Sequence, residues 1–425
     1  MPAFGALVAE PLFVLVDSAV VGRLGTAPLA GLALAGTVLA TAVGLCVFLA
    51  YGTTAGVARA LGAVRLDLAA RLGVDALWLA LGLGTLLGVG LWVTAPWLVE
   101  ALGAPPDVAP HAVTYLRWSA PGLPGMLAVL AATGALRGRL DTRTPLAVAV
   151  GGAVLNAILT VVLVLGVGMG VAGSGLGTAV TQLLMGAVLA RSVLRAAAAA
   201  GAPRRPSPSG LLGALRTGGP LLARTASLRV AVLLATWVAA GLGTVALAGH
   251  QVVGALWALA AFALDSLAIA AQALVGHRLG AGDVVGTRAT LRHVLRWGIG
   301  GGAVLGLVVG ATGWWLALPF TSDPEVRRAV AAALVVVAVS LPVAGAVFVL
   351  DGVLIGAGDG RHLAVVGVLT LLAYAPVAVA VRANAPQGAV GLVWSWAAFT
   401  GVFMLSRALT TGLRAAGTGW MRTGA

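Results

Sequence analysis

The chain lacks lysine entirely and contains one cysteine. All 26 basic residues are arginine, so a P-loop, whose lysine contacts nucleotide phosphates, is excluded. Cys46 alone cannot form a disulfide framework or a thiolate metal site, and the five histidines are scattered without metal-ligand spacing. The polar breaks also lack a nucleophile placed beside a base. We therefore expect no cofactor, no metal site and no enzymatic activity.

Charged residues are scarce as well. They make up 9% of 425 residues and hydrophobic residues make up 60%, whereas an ordinary soluble domain is about 25% charged. Apolar windows of about 20 residues, the length that crosses a bilayer as a helix, recur along the chain. Because lipid leaves an open backbone unsatisfied, the prediction is an all-α membrane protein with twelve transmembrane helices. The windows lie at approximately residues 4–22, 35–58, 73–99, 112–136, 145–166, 173–194, 217–241, 250–276, 293–318, 329–356, 363–381 and 389–413.

The net charge of +13 indicates membrane topology rather than nucleic-acid binding. Nineteen arginines, including Arg407 and Arg414, fall in the breaks after even-numbered windows or in the C-terminal tail, and Arg224 lies near the start of the seventh window. The positive-inside rule then places both termini and the even-numbered breaks in the cytoplasm. We expect a monomeric, multi-pass protein of the cell membrane.

An internal repeat covers most of the chain. GTAPLAG at Gly25–Gly31 and GTVALAG at Gly243–Gly249 are 218 residues apart, and the same offset relates Leu123-Pro124 to Leu341-Pro342. One register without gaps extends from residue 25 to about residue 360. Repeats of this size are typical of transporters built from two related bundles.

A segment rich in proline, arginine and serine, GAPRRPSPSG, separates the two copies. We place an N-terminal six-helix lobe at residues 1–200, a cytoplasmic linker at 201–215 and a C-terminal six-helix lobe at 216–425. The two six-helix bundles are expected to be pseudo-symmetric, with a cavity open to one side of the membrane at a time. Pro2 matches Pro220, but the basic turn before Pro220 has no counterpart, so we expect the natural start to lie upstream of Met1.

Four of the thirteen acidic residues fall inside predicted spans: Glu10, Asp17, Asp265 and Asp351. A carboxylate near the bilayer centre costs about 3 kcal/mol on insertion scales. Protonation lowers that cost, so a buried aspartate that gains and loses a proton is the component a proton-coupled carrier needs. The alternative for each acid is a hydrogen bond or ion pair that fixes helix packing. Glu10, directly before Pro11, could instead satisfy backbone groups that the proline frees.

Amide side chains inside the spans are weaker candidates. Asn156 lies in the fifth span, where it could hydrogen-bond Asp17, and Gln251 and Gln272 lie in the eighth. Such residues either contact a solute or bond across helices to fix packing.

Several long motifs, in order, resemble one family. EPLFVLVDSAVVGRLGTAPLAGLALAGTV, RGRLDTRTPL, LAGHQVV, LDSLAIAAQALVGHRLGAGD and DGVLIGAGDGR are similar to segments of the multidrug and toxic compound extrusion (MATE) transporters, most closely to their DinF-type branch. The resemblance extends over essentially the whole chain. It implies a secondary antiporter that exports an organic solute while H⁺ or Na⁺ enters.

The resemblance also implies site residues. Asp17 matches a first-helix aspartate that couples ion binding to substrate release, and Asn156 matches an asparagine of the same pocket. Some members carry a second acid where this chain has Thr160, so we favour H⁺ coupling through Asp17 with Asn156 and Thr160 as its partners. Fewer charged ligands are then available for Na⁺.

The second-lobe residues resemble the other half of the cavity. We assign Asp265, Asp351, Gln251 and Gln272 to a candidate substrate cavity, where the acids would attract a cationic solute. The resemblance to the DinF-type branch, however, implies a range of solutes that is broader than cations alone. The alternative functions are a lipid-linked precursor flippase of the same superfamily, which should carry a strongly cationic cavity, and a structural or receptor protein.

Overall fold

The structure, a computed structural model, describes residues 2–424 except for the side chains of residues 2, 3 and 6–12. It divides into two compact units, one ending at Gly218 and the other comprising Gly219–Gly424. No strand occurs in residues 2–424. The first eight helices are α1 (Pro2–Val21), α2 (Thr26–Leu45), α3 (Phe48–Gly62), α4 (Leu66–Ala101), α5 (Ala109–Ser119), α6 (Leu123–Gly138), α7 (Arg143–Val161) and α8 (Val171–Ala199). The remaining helices are α9 (Pro208–Gly241), α10 (Thr244–Gly280), α11 (Val284–Leu316), α12 (Pro324–Gly356), α13 (Gly360–Asn384), α14 (Ala389–Ala398) and α15 (Leu405–Ala416).

The helices are long enough to cross a membrane. Eleven helical stretches combine sufficient length with an apolar window of 18 residues, counting α2 with α3, α5 with α6 and α14 with α15 as single stretches. The 20-residue α1 is the twelfth stretch, since about 20 residues at 1.5 Å each cross the hydrocarbon core. The predicted all-α fold with twelve spanning helices is therefore confirmed.

The 218-residue repeat has a structural counterpart inside each unit. In the first unit α6 packs against α3, α4 and α8; in the second, α12 packs against α10 and α11. A side chain at Gly84 would meet the backbone of Pro124, and one at Gly302 would meet the backbone of Pro342. Both glycines let two helix backbones approach closely, so the repeat preserves helix packing as well as helix order.

The turns repeat in the same way, but with different residues at two of them. Gly282 and Gly358 adopt φ of 77° and 76°, which glycine accepts readily. Their counterparts, 218 residues earlier, are Val64 at φ 58° and Leu140 at φ 62°. Side chains with a Cβ are strained in this left-handed region, so the first unit carries local backbone strain that the second avoids.

The segment between the two copies of the repeat differs from its prediction. Residues 201–215 were expected to form a linker, but α9 begins at Pro208, so that only residues 201–207 are non-helical. This segment is held on α4: Asp75 accepts from the Ser207 backbone N–H at 2.8 Å, and the Trp78 indole N–H donates to the Arg204 carbonyl at 3.0 Å. The composition of the segment resembles a solvated linker, yet its backbone is ordered by these two contacts.

Candidate functional site

A buried carboxylate in the first unit lies among side chains from three helices. Asp17, near the C-terminal end of α1, is only 4% exposed. Its Oδ1 accepts from Asn156 Nδ2 at 3.0 Å and from Thr160 Oγ1 at 2.8 Å, and its Oδ2 accepts from Thr178 Oγ1 at 3.2 Å. The predicted contact between Asn156 and Asp17 is therefore present, with Thr160 as the second partner.

The spacing of the donors explains why they meet at one carboxylate. Asn156 and Thr160 are four residues apart on α7 and so share a face of that helix. Thr178 lies on α8, which packs against α7, and α1 packs against α7 as well. Three contacts between distant parts of the chain thus hold Asp17 in a single geometry.

All three partners of Asp17 are neutral. Among the side chains that the structure describes, no basic group forms an ion pair with this carboxylate. Three donated hydrogen bonds match the acceptor capacity of an ionised carboxylate. The neutral donors can therefore stabilise an ionised Asp17 although no described basic side chain pairs with it.

Further polar atoms surround this carboxylate. The hydroxyls of Tyr115 on α5 and Thr178 lie 3.4 Å apart, which extends the polar chain to a fourth helix. The Ser174 hydroxyl, a further neutral group, lies beside the Asp17 carboxyl. Asn156 Oδ1 is buried and has no hydrogen-bond partner among the described residues. A buried oxygen without a partner is uncommon in a native interior, so this pocket has acceptor capacity that the described residues do not use.

A second buried charge cluster lies in the other unit. Asp351 of α12 is 4% exposed and forms ion pairs with Arg224 of α9, at 2.5 Å, and with Arg407 of α15. Arg407 also lies over the Phe403 ring. Arg407 was predicted to lie among the cytoplasmic arginines of the tail, but it is a buried residue inside a spanning stretch.

The four predicted cavity residues do not meet at one place. Gln251 is exposed and Gln272 is buried, and 21 residues of α10 separate them, a distance of roughly 30 Å along a helix. Asp265 is half-buried on the same helix, and Asp351 is held by two arginines. Their role in binding a substrate stays a prediction. The Glu10 side chain lies outside the described residues.

Sequence reasoning missed Thr178, Tyr115 and the two arginine partners of Asp351. Threonine and tyrosine are common in spanning helices and carry no distinctive spacing here, so only their positions against Asp17 reveal them. For Arg224 a signal was present, since an arginine in an apolar window needs a partner. The same signal applies to Asp351 and would have paired the two residues.

The sequence model of the MatE family matches residues 2–162 and 220–380 of this chain, one match in each copy of the repeat. The chain belongs to the MATE family. The prediction from the quoted motifs is confirmed, and it places the chain among membrane transporters rather than enzymes.

Individual relatives agree with this assignment. Protein DETOXIFICATION 44, chloroplastic, from Arabidopsis thaliana is 33% identical over 375 residues, or 84% of this chain and 71% of that protein. DNA damage-inducible protein F (DinF) of Escherichia coli is 30% identical over 290 residues, or 67% of this chain and 63% of that protein. Three further Arabidopsis relatives are matched over 56% to 64% of their own length.

Solved structures show the same fold. A mutant of the Vibrio cholerae MATE transporter VcmN superposes with a TM-score of 0.88 at 23% identity, covering 99% of this chain and 96% of that one. A MOP superfamily transporter from Pyrococcus furiosus superposes with a TM-score of 0.88 at 20% identity, covering 98% and 94%. The MATE fold is therefore retained over nearly the whole chain.

Proposed function

We propose that this MATE protein is a secondary antiporter that exports organic solutes from the cytoplasm in exchange for H⁺, by alternating access. The observation that supports the proposal most directly is Asp17: a buried carboxylate whose described partners are all neutral donors. A carboxylate fixed by a basic side chain would keep its charge throughout a cycle. One held by neutral donors can be ionised or protonated within the same pocket, as a coupling site requires.

The hydrogen bonds indicate how protonation changes the pocket. Ionised Asp17 accepts from Asn156, Thr160 and Thr178. A proton on Oδ2 turns that oxygen into a donor, so the Thr178 hydroxyl must accept and direct its own hydrogen toward Tyr115, 3.4 Å away. Protonation thus reverses the bond between α1 and α8 and alters the contact with α5. Helix packing and the charge of Asp17 are coupled through this chain of hydroxyls.

Coupling to a solute follows from linkage. If substrate binds better to the ionised form of the protein, then protonation lowers substrate affinity and substrate lowers proton affinity by the same factor. Proton entry from outside then favours release of the solute outside. The same proposal places the protein in the cell membrane as a monomer with both termini in the cytoplasm. It needs no cofactor other than the coupling ion.

Na⁺ is the second candidate for the coupling ion. The pocket offers oxygen atoms of Asp17, Asn156 and Ser174, and hard cations bind such ligands. H⁺ is favoured because Thr160 stands where some family members carry a second acid, so that the pocket offers fewer charged ligands for Na⁺.

The proposal is tested by ethidium efflux from liposomes that contain the full chain, under an imposed pH or Na⁺ gradient. We expect the pH gradient to drive efflux by the wild type and not by Asp17→Asn. The control is Asp107→Asn, the same chemical change at an exposed acid, which should transport normally. Equal transport by Asp17→Asn would reduce Asp17 to a packing residue. Transport driven only by Na⁺ would select the second candidate, and no transport with either gradient would favour a lipid-linked precursor flippase.

A further inference from the structure

A cluster of aromatic side chains in the second unit includes the counterparts of two residues of the Asp17 pocket. Tyr374 corresponds to Asn156 and Trp396 to Thr178, each 218 residues later. The same offset relates the two family-model matches and the first residues of α8 and α14. Neighbouring rings of the cluster contact one another, with centroids 5.4 to 6.0 Å apart. The aromatic cluster comprises His250, Trp257, Tyr374, Trp396, Phe399 and Phe403.

Two polar atoms of this cluster are buried and have no hydrogen-bond partner in the part of the chain that the structure describes. They are Nδ1 of His250 and Nε1 of Trp396, and the two residues are 7% and 4% exposed. Their rings are neighbours, with centroids 5.5 Å apart and planes inclined by 35°. Buried polar groups are nearly always paired in native proteins, so two adjacent exceptions call for an explanation.

The hydrogen bond at Nε2 of His250 indicates whether Nδ1 needs a donor or an acceptor as its partner. Thr236 Oγ1 donates to the Val232 carbonyl at 3.2 Å and lies 3.2 Å from His250 Nε2. We assign the single hydroxyl hydrogen to the carbonyl, so that Nε2 of the neutral imidazole carries a hydrogen and donates to Thr236. In this tautomer Nδ1 is an acceptor. The indole nitrogen of Trp396 is always a donor, so the pair offers one acceptor and one donor side by side.

A hydroxyl group donates one hydrogen and accepts another, so it supplies both of the partners that the pair lacks. The surrounding rings provide stacking and edge contacts for an aromatic body. Trp396 lies three residues before a π-helical segment, Phe399–Met404, that contributes two rings to the cluster. Segments of π-helix occur often at functional sites.

We propose that the His250 and Trp396 pair recognises the hydroxyl group of an aromatic, phenol-like substrate. The aromatic cluster receives the ring of that substrate, and the pair selects it over analogues that lack the hydroxyl hydrogen. This inference rests on the proposed transport function, because it names a substrate class for the exporter.

The test compares 7-hydroxycoumarin with 7-methoxycoumarin, which has the same ring system but cannot donate a hydrogen bond. Binding to the full chain in lipid nanodiscs is measured by equilibrium dialysis, and partitioning into empty nanodiscs is subtracted. We expect the hydroxyl compound to bind roughly ten-fold more tightly, the effect of one to two net hydrogen bonds. Equal affinity of the two compounds would overturn the proposal and leave the pair as the site of a buried water.

Variants test whether the preference for the hydroxyl compound depends on His250 and Trp396. His250→Phe and Trp396→Phe keep an aromatic ring but remove one polar atom each, and either should lower the ten-fold preference to about two-fold or less. The matched control is Trp394→Phe, the same substitution two residues before Trp396 on α14, at a side chain that is 55% exposed and lies outside the cluster. It should keep the preference. A preference that persists in both His250→Phe and Trp396→Phe, with monodisperse protein, would contradict the assignment.

The two proposals fail separately. Binding is measured without an ion gradient, so a hydroxyl preference that depends on His250 and Trp396 supports the site even if no gradient drives efflux. Conversely, gradient-driven ethidium efflux together with equal coumarin affinities supports the antiporter and overturns the site.

Discussion

The two units share a scaffold and differ in the chemistry they bury. Asp17 in the first unit corresponds to Ala235 in the second, and Asp351 in the second corresponds to Thr133 in the first. The two buried acids therefore lie at different positions of the same repeat. One is surrounded by neutral donors and the other by two arginines. Close helix packing depends on glycines that both copies retain, whereas a buried charge needs partners that each copy supplies separately.

The different partners predict different consequences of losing each charge. A carboxylate among neutral donors is a site that can change its protonation state. A carboxylate between two guanidinium groups is a fixed charge that joins α9, α12 and α15. The first arrangement suits coupling and the second suits structure. Variants in each unit test this contrast.

The largest expected effect on stability is that of Asp351→Asn. Removing one partner of a buried ion pair typically costs about 3–5 kcal/mol, because the remaining charge is left buried and uncompensated. Thermal unfolding in detergent should show a marked loss of melting temperature. The parallel change Asp17→Asn should alter the free energy of unfolding by less than about 1 kcal/mol, since the amide still accepts a hydrogen bond and can donate to Asn156 Oδ1. Similar stability losses in both variants would remove the distinction between the two acids.

An intermediate effect is expected at the hydroxyls of α8. Thr178→Val removes the donor to Asp17 Oδ2 and should destabilise the protein by about 1.5–3 kcal/mol while the carboxyl is ionised. Thr181→Val is the control: it is the same substitution on the same helix, at a buried hydroxyl for which the described residues offer no hydrogen-bond partner. It should be neutral or slightly stabilising. Melting curves at neutral pH compare the two, and equal losses would show that Asp17 does not depend on Thr178.

The smallest effect concerns the turns. Val64→Gly and Leu140→Gly should each stabilise the first unit by about 0.5–1 kcal/mol, because relief of left-handed strain exceeds the extra flexibility that glycine gives the unfolded chain. Both side chains are exposed, at 82% and 52%, so little packing is lost. The reverse changes, Gly282→Val and Gly358→Leu, should destabilise the second unit by a similar amount. Chemical denaturation of the four variants checks the sign, and a stabilised Gly282→Val would be inconsistent with the strain.

Much of the architecture was predictable from the sequence. Apolar windows of spanning length require helices, because a bilayer leaves any other backbone unsatisfied. The repeat predicted two related helical bundles, and a carboxylate in an apolar run marked Asp17 without any structural information. These features follow from the composition of short segments and from their order, and both are visible in one chain.

The partners of the buried charges were decided by the tertiary structure. Asp17 and Thr178 are 161 residues apart, and Asp351 and Arg407 are 56 residues apart. Each pair joins two different helices, so only the packing of α1 and α8 against α7, and of α12 against α15, brings its members together. Which acid can change its protonation state and which is fixed by arginine depends on these long-range contacts. The order of the residues indicated that acids lie within the membrane-spanning helices. Their burial, their neighbours and hence their chemistry depend on how the helices pack, because the partners come from distant parts of the chain.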